Sequence, residues 1–227
     1  MKVCTDACLF GAWVAQLVQD VENETPHPLK INTILDIGSG TGLLALMLAQ
    51  KTEAMVDAIE IDVKACTQAK ENIERSLWAS RIMMICGDIN QFTTNRKYDL
   101  VVCNPPFYEN SLQSPHASAN LARHGAGLKL EDLACKASDN LPDWGLFAVL
   151  LPYTRAPDFV KTARGSGLQL IRQVNVKQTQ SHYYFRVMLV FGRAHSPGVR
   201  QLDISIRDEG GYSKEFLELL KDYYLHL

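Results

Sequence analysis

Thr33-Ile34-Leu35-Asp36-Ile37-Gly38-Ser39-Gly40-Thr41-Gly42 decides how this chain is read. A β-rich apolar run carrying one acid ends in a turn with glycine at every second place. Gly42 to Gln50 then has the apolar spacing of a helix. A strand that hands its end through such a turn to a helix opens a βαβ unit. Glycines tolerate positive φ there and let a ligand approach the backbone closely.

Outward from that turn, strand-like and helical patterns alternate. Met55 to Ile61, Ile82 to Cys86, Tyr98 to Cys103 and Gly145 to Leu151 read as strands. Val63 to Arg75, Leu128 to Asn140 and Pro157 to Arg164 read as helices. Leu168 to Val176 and Tyr183 to Phe191 read as a closing antiparallel hairpin, followed by a helix from about Ser213 with Phe216, Leu217, Leu220 and Tyr224 on one face. The expected fold is α/β and Rossmann-like: a seven-stranded, mostly parallel sheet with a C-terminal antiparallel hairpin and helices on both faces.

The glycine turn discriminates between ligands. Dinucleotide sites use G-x-G-x-x-G/A, with a small residue where this chain has Leu43, and here the third glycine comes one place early, at Gly42. Asp36 would repel a pyrophosphate but suits a cation such as S-adenosylmethionine. Gly38, Gly40 and Gly42 would then form the cofactor cradle. Glu60, with Ile61 after it, ends the second strand where an acid takes both ribose hydroxyls. Asp62 is the runner-up, with helix capping as its ordinary role. Asp88 and Ile89 follow the third strand, where an Asp accepts from the adenine amine and an Ile packs on the ring; a plain turn role for Asp88 stays open.

A second motif, Asn104-Pro105-Pro106-Phe107, stands straight after the fourth strand. Paired prolines cannot continue a ladder, so the strand must stop and present Asn104 on a rigid turn. A nitrogen conjugated to a ring or carbonyl is a poor nucleophile. Two acceptors, Asn104 Oδ1 and the Pro105 carbonyl, would hold its N–H groups and leave its lone pair free. Phe107 and Tyr108 offer flat faces for stacking, with a core role as the alternative. The irregular stretch from Tyr108 to Gly127 reads as a substrate loop.

Composition bounds the rest. With 227 residues, 47% apolar, the chain is read as one domain over 1–227. No apolar window is long enough for a membrane span, and no signal peptide is evident, so a cytoplasmic protein is expected. The six cysteines show neither a CxxC pair nor zinc spacing, so neither a disulfide nor a metal site is expected. Net charge is −2, yet from Leu151 to Arg200 the charges are basic apart from Asp158. That asymmetry reads either as a phosphate-facing surface or as scattered solvated charge.

The chain resembles the bacterial tRNA1(Val) (adenine-N6)-methyltransferases, class I S-adenosylmethionine-dependent enzymes with an Asn-Pro-Pro-Phe/Tyr motif. The likeness runs from Lys2-Val3-Cys4-Thr5-Asp6 and Leu9-Phe10-Gly11-Ala12-Trp13 through the glycine turn, Glu60, Asn104 to Tyr108, Arg123-His124 and Leu151-Pro152. It ends with Tyr212-Ser213, Phe216, Leu220-Lys221-Asp222 and Tyr224-Leu225. Cys4 replaces the family's glycine, and the family carries further residues ahead of Lys2. The resemblance implies methyl transfer to N6 of the adenine 3′ of the anticodon, with tRNA as partner; no membrane or metal partner is expected, and a monomer is favoured with the oligomeric state open. It implies a cover segment over 1–20, with Thr5 and Asp6 at the cofactor, and backbone contacts by Arg123 and His124 in the 108–127 loop. Enzymes acting on rRNA guanine N2, DNA adenine or a protein glutamine share the Asn-Pro-Pro motif and remain alternatives. A non-catalytic tRNA-binding factor is the alternative from another class.

Overall fold

The computed structural model describes residues 4–23, 28–106, 128–193 and 198–225. The elements run α1 (Thr5–Glu22), β1 (Thr33–Ile37), α2 (Leu43–Lys51), β2 (Met55–Glu60), α3 (Val63–Glu74), β3 (Ile82–Cys86) and β4 (Leu100–Cys103). They continue as α4 (Leu130–Asn140), β5 (Leu146–Pro152), α5 (Ala156–Gly165), β6 (Gln169–Lys177), β7 (Tyr184–Gly192) and β8 (Arg200–Ser205). A small ribbon of β9 (Arg207–Asp208) and β10 (Gly211–Tyr212) precedes α6 (Lys214–Leu220).

The main sheet has the order β3-β2-β1-β4-β5-β7-β6-β8. β1 to β5 are mutually parallel, and β7 runs antiparallel to both β5 and β6. The hairpin expected from the sequence is therefore β6–β7, inserted so that its second strand meets β5. The seven strands expected become eight. β8 lies parallel to β6 at the sheet edge, and among its residues only Ile204 is buried. A strand exposed on most of its length carries no continuous apolar run, which is why its sequence does not announce it.

The central strands are mostly apolar because both faces are covered. Ile34, Leu100, Val102, Ala148, Leu150, Met188 and Val190 join α1, α2 and α6 in one core. Their alternating neighbours Leu35, Ile37, Val101, Cys103, Phe147, Val149, Leu189 and Phe191 join α4 and α5 in the other. α3 starts on the Asp62 carboxylate, which accepts from the Ala65 amide at 2.8 Å. α6 starts on Ser213, whose hydroxyl accepts from Phe216 at 3.2 Å. Side-chain caps of this kind satisfy amides that the first helical turn cannot pair.

One expectation is overturned. Cys66, buried on α3, and Cys86, at the end of β3, form a disulfide with Cα atoms 5.7 Å apart. The pair is 20 residues apart in sequence. It comes together only because α3 folds back over the β2–β3 edge, a relation no short cysteine motif encodes.

Candidate active site

Strand order places the site. β1 is flanked by β2 on one side and β4 on the other, so the connections leaving these strands diverge there. Ligands of open α/β sheets bind in the crevice at such a reversal, beyond the carboxyl ends of the strands. Ile37 pairs with Ile59 on β2 and with Cys103 on β4. The next residues on the three chains are Gly38, Glu60 and Asn104, so all three sit at one level, with neighbouring strands about 4.8 Å apart.

The glycine turn is built as its sequence demands. Gly38, Gly40 and Gly42 have φ of 68°, 57° and 83°. That left-handed region costs a side-chain-bearing residue about 1–2 kcal/mol. The turn is pinned from below, since the Gly38 and Ser39 amides both donate to the Ile59 carbonyl at 2.9 and 3.1 Å. It is pinned from the side by Asn72 of α3, whose Nδ2 donates to the Thr41 carbonyl at 3.0 Å. Asn72 gives no sequence signal for this role, because the contact spans 31 positions and depends on how α3 packs.

Glu60 Oε2 accepts from the Gly40 amide and Oε1 from the Asp62 amide, each at 2.8 Å. The carboxylate therefore joins the glycine turn to the end of β2, and each oxygen keeps a second lone pair for a ligand hydroxyl. Asp62 caps α3 through Oδ1, the ordinary role expected for it. Ile61 beside it is 43% exposed, an apolar side chain open at the crevice. Asp88 Oδ1 accepts from the Asn90 amide at 2.8 Å, so its turn role is present. The two readings of Asp88 coexist, because its other oxygen is not used by that bond. Ile89 is buried in the α4–α5 core rather than presented openly.

Unpaired polar atoms converge in the crevice. Of four buried side-chain polar atoms without a partner among the described residues, three are Asp36 Oδ1, Asp36 Oδ2 and Asn104 Oδ1. A buried acceptor left unpaired costs about 1–3 kcal/mol, so native proteins keep few of them outside binding sites. Burial raises Asp36 to about 7; the Ala45 backbone amide opposes that rise and the Glu60 carboxylate adds to it. Cys103 beneath them stays a thiol, pushed far up by burial and then by Asp36 and Glu60. Asp36 and Asn104 thus bring three buried acceptor oxygens without a donor to this end of the sheet. A ligand with amines and a cationic centre fits that deficit, which is the test S-adenosylmethionine has to meet here.

Pro105 is buried and Pro106 exposed just past Asn104, as an abrupt strand end requires. Phe107, Tyr108, Arg123 and His124 lie outside the described residues. Thr5 is exposed at the start of α1. Asp6 is held within the protein: Oδ2 accepts from Arg186 Nε of β7 at 2.9 Å and Oδ1 from the Ala7 amide at 3.0 Å. It ties the start of α1 to β7, two strands away from β4 in the sheet. The basic residues of the C-terminal third are partly spent in the same way. Arg172 pairs with Asp20 at 3.4 Å, and Arg193 Nη2 donates to the Ser138 carbonyl at 2.7 Å. Among the described residues no cluster of three potential metal ligands occurs, and no helix is long and apolar enough to cross a membrane.

Residues 14–131 match the profile of the methyltransferase small domain. A tRNA1(Val) (adenine(37)-N6)-methyltransferase of Dyadobacter fermentans is 37% identical over 99% of this chain and 91% of its own length. The fold is also that of solved methyltransferases. A predicted O-methyltransferase from Agrobacterium tumefaciens superposes with a TM-score of 0.68 at 14% identity, covering 94% of this chain and 95% of that one. A putative class I S-adenosylmethionine-dependent methyltransferase from Listeria monocytogenes gives 0.65 at 16% identity, covering 87% and 64%.

Proposed function

The chain belongs to the tRNA1(Val) (adenine(37)-N6)-methyltransferase family, and we propose that it transfers a methyl group to the exocyclic N6 of adenine 37, 3′ of the anticodon, in tRNA1(Val). The observation that carries the reading is Asn104 Oδ1: buried, without a partner, and level with the glycine turn and Glu60. A buried amide oxygen at that place waits for an N–H donor.

S-adenosylmethionine, when bound, supplies an electrophilic methyl group on a sulfonium. Asp36 would counter its positive charge and accept from its amine. Glu60 would accept from the ribose hydroxyls with the lone pairs that Gly40 and Asp62 leave open. Asn104 Oδ1 and the Pro105 carbonyl accept the two N–H bonds of adenine N6, turning the nitrogen lone pair toward the donor. As the N–CH3 bond forms, the S–CH3 bond breaks and the sulfur leaves as a neutral thioether; the methylated nitrogen then sheds its extra proton to water, so no strong base is needed beforehand. Alignment of the reactants carries most of the rate, worth roughly 7–11 kcal/mol over free encounter. An adenine in a stacked loop must first be splayed out, at a cost of a few kcal/mol. A tRNA acceptor puts this work in the cytoplasm.

Asn104→Ala tests the assignment. With tRNA from cells lacking the gene, the variant should lose methyl transfer while binding S-adenosylmethionine within about twofold of wild type. Unchanged transfer to adenine N6 would remove the proposed role of the amide.

A further inference from the structure

The tip between β6 and β7 carries a feature that the chemistry of the crevice does not use. Tyr183 is 96% exposed, an aromatic side chain held in water. Beside it, Tyr184 packs on Tyr153 with ring centroids 5.0 Å apart, and Lys177 Nζ lies 5.7 Å from the Tyr184 ring centre. The tip is braced from within. Thr179 Oγ1 lies 2.7 Å from His182 Nδ1, and Lys177 Nζ donates to the Gln180 carbonyl at 3.2 Å. Tyr184 also donates its hydroxyl to Asp203 at 2.5 Å, and Asn175 takes the other oxygen of that acid at 2.9 Å. The nearest acid on β8 is therefore occupied, and the tip carries the basic side chain of Lys177 and the imidazole of His182.

Register fixes where this tip stands. Cys103 pairs with Val149, so Asn104 is level with Leu150, whose partner on β7 is Met188. Tyr184 lies four residues before Met188, about 13 Å further along the strand direction and two strand spacings, about 10 Å, to the side. The tip thus overhangs the same end of the sheet as Asn104, too far to touch the methylated base and well placed for its neighbours in a strand of RNA.

We infer that the β6–β7 tip, with Tyr183 as its free ring and Tyr153–Tyr184 as its base, is a stacking platform for single-stranded nucleotides flanking the target adenine. Every base offers a π face, so exposed aromatic side chains beside cations hold single strands without reading sequence. The inference rests on the RNA-methylating reading and adds where the RNA is gripped.

Tyr183→Ala, Tyr183→Phe and Lys177→Ala separate the outcomes, read by binding of an unmodified anticodon stem-loop RNA and by steady-state methylation of tRNA. Tyr183→Ala should weaken RNA binding about tenfold and raise KM for tRNA likewise, with kcat and S-adenosylmethionine affinity within twofold. Tyr183→Phe should bind like wild type, because the ring and not the hydroxyl does the stacking. Lys177→Ala should weaken binding and reduce its salt dependence. Unchanged RNA affinity in Tyr183→Ala, or a loss equal in Tyr183→Phe, overturns the inference. RNA binding is read without turnover, so a wild-type protein that binds RNA but transfers no methyl group refutes the chemistry alone.

Discussion

Glu60 holds Gly40 from twenty positions away: its Oε2 accepts the glycine amide at 2.8 Å, while Oε1 takes the Asp62 amide at the same distance. The acid proposed to face the ribose is thereby also the brace of the glycine turn. On that proposal, cofactor binding and local stability are coupled through one carboxylate.

Replacing that acid should move both properties. Glu60→Gln offers one acceptor and one donor where two amides need acceptors, so one contact becomes a donor facing a donor. The expected cost is about 1–3 kcal/mol of stability, seen as a lower melting temperature, and at least about tenfold weaker S-adenosylmethionine binding by calorimetry. A variant with unchanged melting temperature would show that the brace carries no energy.

Asp36 should make the pocket sensitive to pH. Its carboxyl is raised in the folded protein to about 7 from 3.8, so its contribution favours the folded state most below about pH 4. That contribution is lost as pH rises through about 7. Melting temperature of the ligand-free protein should therefore fall over that window more than in Asp36→Asn. A cationic ligand needs the ionised form, so S-adenosylmethionine affinity should climb as pH rises toward about 7 and level off above it. A flat affinity profile across that range would contradict the assignment.

Backbone conformation, not space, makes Gly42 irreplaceable. Its φ is 83°, yet an added Cβ would meet nothing nearer than Ala69 Cβ at 3.5 Å, an ordinary contact. Gly42→Ala should cost about 1–2 kcal/mol from the left-handed backbone alone. Gly87→Ala is the control: Gly87 has no positive φ, and its Cβ position is open. It should stay within about 0.5 kcal/mol of wild type in a denaturant titration. Equal losses in the two variants would discard the conformational account.

The sequence spoke clearly wherever a local rule governed. Gly38, Gly40 and Gly42 reported their own φ, the prolines at 105 and 106 reported the end of β4, and Ser213 reported the start of α6. It was mute about β8, whose exposed residues carry no apolar pattern, and about Asn72, whose bond to Thr41 depends on how α3 packs. It misled on Cys66 and Cys86, because pairing depends on distance in space and their spacing matches no motif.

By itself, then, the order of residues determined the alternating α/β architecture, the glycine turn and the asparagine just past the end of β4, since φ preferences and apolar periodicity are properties of short segments. Only the tertiary structure decided that Asp6 is taken up by Arg186, that Glu60 grips Gly40, and that Tyr183 stands exposed at the tip between β6 and β7. Those facts depend on which strands became neighbours and in what register, and strand neighbours are chosen by the packing of the whole core.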